Sequence, residues 1–367
     1  MDVLKIVLLL SRRGFLAALL VGFLGGGMFV ARADWQLVWS DEFNGTALNT
    51  NFWWTDLGPA TCINGNNELG IYTNSPANVQ VTNGMVRLIG VDIGTNGMHV
   101  LTSPYLMTMN IDDCSEMVIS NMTSRFVTVG GAVEWRAKIP QGTGLWPALW
   151  LMPSESDVTG NNVYGNWPNA GEIDVMENNG IDPNSVAQSL HYYNGIFQSS
   201  EAVADVTQWH VYRLEWYTNQ FKWYVDGVLG SSTTNWNAPP GYSYPAPFDA
   251  NSGGFYVIMN LALGGNYTGN PSAATVAANL PAEMDVDYVR VYKLTNPLLS
   301  VTETNSNFIV SWLPQPAAWV LEQTTALSNT WVQVPMDQYQ TNQNQISINV
   351  STPLTNNMFY RLYQLTN

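Results

Sequence analysis

Three carboxylic acids fall within six positions in the run Gly171-Glu172-Ile173-Asp174-Val175-Met176-Glu177-Asn178. Acids are among the side chains least often buried, yet here they alternate with Ile, Val and Met, which belong in a core. On a regular strand Glu172 and Asp174 share a face and Glu177 points to the other. One extra residue, a β-bulge at Val175-Met176, returns Glu177 to the first face and gathers all three acids on one surface. Two carboxyl groups about 5–5.5 Å apart can hydrolyse a glycosidic bond with retention, one as nucleophile and the other as acid, then base. Asp174 between them can share a proton or hydrogen bond with the nucleophile and hold the two pKa values apart. Taken alone, the triplet also fits a solvated acidic strand face or a calcium site, since hard cations favour clustered carboxylates.

The elements that must carry this run are strands. From Trp35 to Leu294, short alternating segments recur between turn residues: Val79–Val81, Val86–Ile89, Ala132–Ile139, Val211–Tyr217, Phe221–Val225, Phe255–Leu261 and Val286–Tyr292. Asp226-Gly227 after Phe221–Val225 marks a tight hairpin. No apolar pattern of helical period lasts three turns. The spacing predicts an all-β chain built as a curved two-sheet antiparallel sandwich. Composition shifts near Asn296-Pro297. Residues 298–367 are rich in Asn, Gln, Thr and Ser, with strand-like pieces at Phe308–Leu313, Trp319–Glu322, Trp331–Val334, Ile346–Val350 and Phe359–Tyr363. They predict a small C-terminal β-domain without a catalytic signature, and its Trp312, Trp319 and Trp331 read as core. The expected division is therefore 1–33, 34–295 and 298–367.

Residues 1–33 have the pattern of an export signal. Lys5, Arg12 and Arg13 precede an apolar run from Phe15 to Val30, and Ala31-Arg32-Ala33 offers small residues for cleavage. Paired arginines fit either a twin-arginine signal or an ordinary secretory one. Either way the mature protein is expected to be secreted or periplasmic, monomeric and without a stable membrane span. Cys62 and Cys114 are the two cysteines, either a disulfide or separate thiols. Three scattered histidines supply no zinc spacing, so no cofactor is expected for catalysis. A formal charge of −15 argues against nucleic acid as a partner and disfavours anionic polysaccharides. The 15 Trp and 17 Tyr suit sugar faces, although most such rings in any protein are core.

A longer series of motifs resembles glycoside hydrolase family 16, and within it the laminarinase-like endo-β-1,3-glucanases. In order, these are Val38-Trp39-Ser40-Asp41-Glu42-Phe43-Asn44-Gly45, Asn67-Glu68-Leu69 with Tyr72-Thr73, and Arg136–Pro140. Gly144-Leu145-Trp146-Pro147-Ala148-Leu149-Trp150 follows, then Tyr164–Glu172, Tyr224–Gly227, Asn260–Asn266 and Val286–Tyr292. The resemblance implies a β-jelly roll with a concave cleft and a β-glucan substrate cut at internal β-1,3 or mixed β-1,3/1,4 bonds. It implies Glu172 as nucleophile, Asp174 as its helper and Glu177 as acid/base. It also implies Trp146, Trp150 and Trp167 as cleft aromatics, Asn67 and His191 as polar groups near the cut, and a structural calcium at Glu42, Gly84 and Asp287. An agarase or transglycosylase of the same fold, or a non-catalytic glucan-binding protein, are the alternatives. The run Gly130–Trp135 departs from the family pattern, a departure expected to alter the cleft edge, and the loop 154–166 is expected to shape subsites.

Overall fold

The computed structural model describes residues 8–10, 35–55, 58–59, 66–110, 123–154, 162–294, 299–303, 307–312, 319–325, 330–342, 345–351 and 358–364. The chain divides into one unit from Leu37 to Tyr292 and a second formed by Met1–Gln36 with Lys293–Asn367. Cys62 and Cys114 lie outside the described residues, as do 155–161 of the predicted subsite loop and most of the predicted export segment.

The larger unit is the expected sandwich. A seven-stranded sheet runs in the order Gly195–Ala202, Ser185–Tyr192, Glu172–Glu177, Leu145–Pro153, Phe255–Leu263, Tyr105–Met107 and Trp54–Thr55. Facing it is an eleven-stranded sheet that includes Gly131–Lys138, His210–Tyr217, Gln220–Val225 and Ala282–Leu294. The seven-stranded sheet pairs antiparallel throughout its described register, and in the facing sheet Ile71–Tyr72 runs parallel beside Leu101–Ser103. The inward residues of both sheets form one core, with Trp135, Trp216, Trp223, Phe221 and Phe255 fully buried. Asp226-Gly227 closes a two-residue hairpin, Val225 opposite Val228, with φ of 50° and 76°. Positive φ at both loop residues matches the right-handed strand twist, which is why Asp-Gly terminates the strand there.

Within the second unit, Ser300–Glu303, Asn307–Trp312, Gln345–Ser351 and Gln340–Asn342 form one four-stranded sheet. Leu8–Leu10, Met358–Gln364, Trp319–Thr324 and Val332–Gln333 form another. Leu8–Leu10, inside the predicted export segment, pairs with Met358–Tyr360. Trp312 is buried in the core of this unit, as predicted, and Trp319 packs against it. Arg361 covers the Trp331 ring at 4.4 Å.

One expectation about the cleft is corrected. The Gly130–Trp135 run does not line the cleft. It enters Gly131–Lys138 of the facing sheet, where Trp135 is core and Glu134 receives Arg213 at 3.0 Å.

Candidate active site

The acid strand carries the predicted bulge. Asp174 pairs with Trp150 and Met176 with Leu149, so two steps along the acid strand match one on its neighbour. On the other side Asp174 faces Ser189 and Glu177 faces Ala187, three steps against two. Val175 is the extra residue. Ile173, Val175 and Met176 therefore all enter the same core, although strict alternation would turn Met176 outward. Glu172, Asp174 and Glu177 emerge together on the opposite side. The strand is entered through Gly171, whose φ is +89° and whose missing Cβ would sit 2.6 Å from Phe248. No other residue fits that entry.

These acids line a cavity of about 520 Å³ whose wall includes Trp146, Trp150, Trp167, His191, Tyr105 and Asn260. Trp146 comes from Leu145–Pro153, stacks on Tyr267 at 4.9 Å, and donates its indole N–H to Glu177 at 2.9 Å. Gly265 passes this ring at φ +100°, where a Cβ would crowd Trp146 and the Asn66 carbonyl at 3.3 and 3.1 Å. Trp167 stays 47% exposed at the rim and donates to Glu172 at 2.7 Å. Trp150 is nearly buried and donates to Asn260 at 2.8 Å. His191, directly across from Glu172, brings Nε2 within 3.1 Å of Asp174 and 3.7 Å of Glu172.

The electrostatics follow from crowding in a dry place. Burial first, and then the neighbouring negative charge, raise Glu172, Asp174 and Glu177 above the usual carboxylate range, with Glu177 reaching about 7. The three cannot all ionise near neutrality. Burial and the charge of Asp174 outweigh the donors at Glu172, which is raised furthest, to about 8, although the His191 ring and the Trp167 N–H pull it down. Glu172 faces Trp167 Nε1 and the His191 ring, whereas the indole N–H that Glu177 receives is that of Trp146. Burial works to lower His191, but contact with Asp174 and the charges of Glu172, Asp174 and Glu177 outweigh it and carry the imidazole up to about 9. A positive ring under the acids keeps part of the cluster ionised.

Of the predicted site residues, Glu172, Asp174, Glu177, Trp146, Trp150, Trp167 and His191 are brought together. Asn67 is not in the wall. It adopts φ 60° and its amide holds the side chain of Asn266, which is, at 2.8 Å. Its neighbours Asn66 and Glu68 do line the cavity. Glu68 is buried, receives the Tyr72 hydroxyl, and connects through Tyr72 and Asn260 to Trp150. The signal for these was an acid and amides inside motifs otherwise read as family markers.

The predicted calcium set does not fit as side-chain ligands. Both oxygens of Glu42 are held by Arg290, at 2.9 and 2.7 Å, and Asp287 is held by Arg136 at 2.6 Å, so arginines already balance both charges. Gly84, at φ +74°, contributes no side chain. In the cleft, Glu172, Asp174 and His191 offer donor atoms within 4.8 Å of one another. Within that trio His191 Nε2 lies 3.1 Å from Asp174, so the imidazole already serves the acids.

The chain is similar to known proteins in sequence and in fold. The model for "Glycosyl hydrolases family 16" matches residues 90–277. The chain is 38% identical over 281 residues to "Glucan endo-1,3-beta-glucosidase A1" of Niallia circulans, covering 72% of this chain but only 38% of that protein. It is 32% identical over 305 residues to "Beta-glucanase" of Rhodothermus marinus, 80% of this chain and 98% of the relative. The solved laminarinase of Rhodothermus marinus superposes with a TM-score of 0.59 at 31% identity, over 72% of this chain and 99% of that one. The bulged acid strand, its tryptophan donors and these likenesses agree: the chain belongs to glycoside hydrolase family 16.

Proposed function

We propose that this glycoside hydrolase is a retaining endo-β-glucanase that cuts internal β-1,3 or mixed β-1,3/1,4 bonds. The observation that carries the reading is the placement of Glu172 and Glu177 on one wall of an aromatic-lined cleft by a single bulge residue. Glu172 attacks the anomeric carbon as the bond to the leaving oxygen breaks, and Glu177 gives that oxygen its proton. A glycosyl ester on Glu172 results. Glu177, now a carboxylate, takes a proton from water, which attacks the same carbon and releases Glu172. Asp174 and His191 hold the charge of the cluster while a proton crosses it. Trp146, Trp150 and Trp167 supply flat faces for a neutral sugar chain.

Assay on laminarin, lichenan, agarose and xyloglucan tests the substrate class, with early products read by NMR for their anomer. Turnover of laminarin or lichenan, a β-anomer formed first, and viscosity falling ahead of reducing ends are the expected results. Activity on agarose alone, or an α-anomer first, overturns the reading. The chain is further proposed to act as an exported monomer. No helix among the described residues is long and apolar enough to cross a membrane. Cell fractionation and light scattering check export and assembly.

A further inference from the structure

An extra residue in a strand leaves backbone groups without ladder partners, so the bulge that sets the acid spacing must itself be held. Its carbonyl at Asp174 is not left to the ladder. The indole N–H of Trp223 donates to that main-chain oxygen at 2.9 Å. Trp223 belongs to Gln220–Val225 of the facing sheet, is fully buried, and is fixed in plane by stacking on Phe197 at 5.3 Å and Phe221 at 5.8 Å. The bond therefore crosses the core, from one sheet to the residue immediately before the bulge. Trp135 provides a contrast. It is equally buried in the same core, yet its indole nitrogen has no partner among the described residues.

We propose that Trp223 is a positioning residue for catalysis: its cross-sheet hydrogen bond to the Asp174 carbonyl holds the bulge at Val175 and so sets the spacing of Glu172 and Glu177. A buried carbonyl strongly prefers a partner. Without the indole, the chain regains one by sliding the ladder at Val175, which turns Glu177 away from Glu172. Phenylalanine at 223 keeps a ring in the core and removes the donor. This inference rests on the retaining mechanism proposed above.

The test compares Trp223→Phe with Trp135→Phe in the full-length chain. Both lose ring volume from one core, and Trp223→Phe is expected to lower Tm further because it also strands the Asp174 carbonyl. Trp223→Phe alone is expected to reduce kcat about tenfold or more with KM within about twofold, as a misplaced catalytic group does. The basic limb of its pH–rate profile should move to lower pH, because Glu177 is released from the charge of Glu172 that helps raise it. A Trp223→Phe enzyme with lowered Tm but unchanged kcat and pH limbs overturns the proposal. If that variant does not fold, the indole ¹H–¹⁵N resonances of the wild type answer instead. The Trp223 resonance is expected to move as the acid cluster titrates while that of Trp135 stays, and an unmoved Trp223 resonance overturns the role. A wild type without glycosidase activity would sink the proposed function, while the titration would still report on the bond.

Discussion

Replacing Trp167 by Phe isolates the hydrogen bond that favours ionised Glu172. The indole donates at 2.7 Å to Glu172 Oε2, and the side chain stands at the cleft rim, 47% exposed. A hydrogen bond to a charged group contributes about 1.5–3 kcal/mol, and water at an exposed rim replaces part of it, so the lower end, about 1.5 kcal/mol, applies. At about 1.4 kcal/mol per pKa unit this is a shift of about one unit. The sign is upward, because the N–H stabilises the carboxylate and its loss favours the acid. Glu172 attacks only when ionised, so the acidic limb of kcat/KM should move to higher pH by about one unit. Below that limb the rate falls about tenfold, and above it the loss shrinks to whatever stacking the smaller ring forfeits. Because Glu172 and Asp174 titrate together, the limb reports the cluster and not one residue. The assay is kcat/KM on laminarin across pH at fixed ionic strength. A uniform loss at every pH, with the limb unmoved, would show that Trp167 serves only as a platform for sugar and that the reasoning about its N–H is wrong.

Other perturbations have equally defined outcomes. Trp146→Phe removes the donor that lowers Glu177, so the basic limb should rise; a fall would contradict the assignment. Glu172→Gln and Glu177→Gln should each cut kcat by at least about 10³-fold while glucan binding, followed by calorimetry, survives. Azide should partly rescue Glu172→Gly and yield an inverted product, and wild-type turnover in either Gln variant would falsify the roles. Stability should track the raised acids. Glu177 and His191 bind protons more tightly folded than unfolded, reaching about 7 and about 9 from 4.5 and 6.5. Their contribution is therefore full below the unfolded values and is lost as pH climbs through the folded ones. Tm should fall from pH 5 to pH 9, and Glu177→Gln should flatten that fall between pH 5 and 8; an unchanged slope would count against burial of this acid.

The local pattern of the sequence was enough for seven strand segments, the Asp226-Gly227 hairpin and the bulge itself, but not for Leu145–Pro153, Ser185–Tyr192 and Gly195–Ala202 beside the acid strand. Alternation and turn chemistry act over a few residues, and Ile173, Val175 and Met176 can all reach a core only if one residue is inserted out of step. The three acids were legible for the same reason. What the strand faces across the cleft was not. Asn67 gave way to Asn66, Glu68 and Asn266 as wall residues because a positive φ at position 67 turns the chain, and a motif alone does not reveal that turn. Glu42 and Asp287, named as cation ligands by the resemblance alone, are paired with Arg290 and Arg136, partners distant in sequence that no motif revealed. Trp223 looked like one more core aromatic in a strand–turn motif. Its contact with Asp174 spans 49 positions and two sheets, and only the packing of one sheet on the other decides which carbonyl an indole N–H will find.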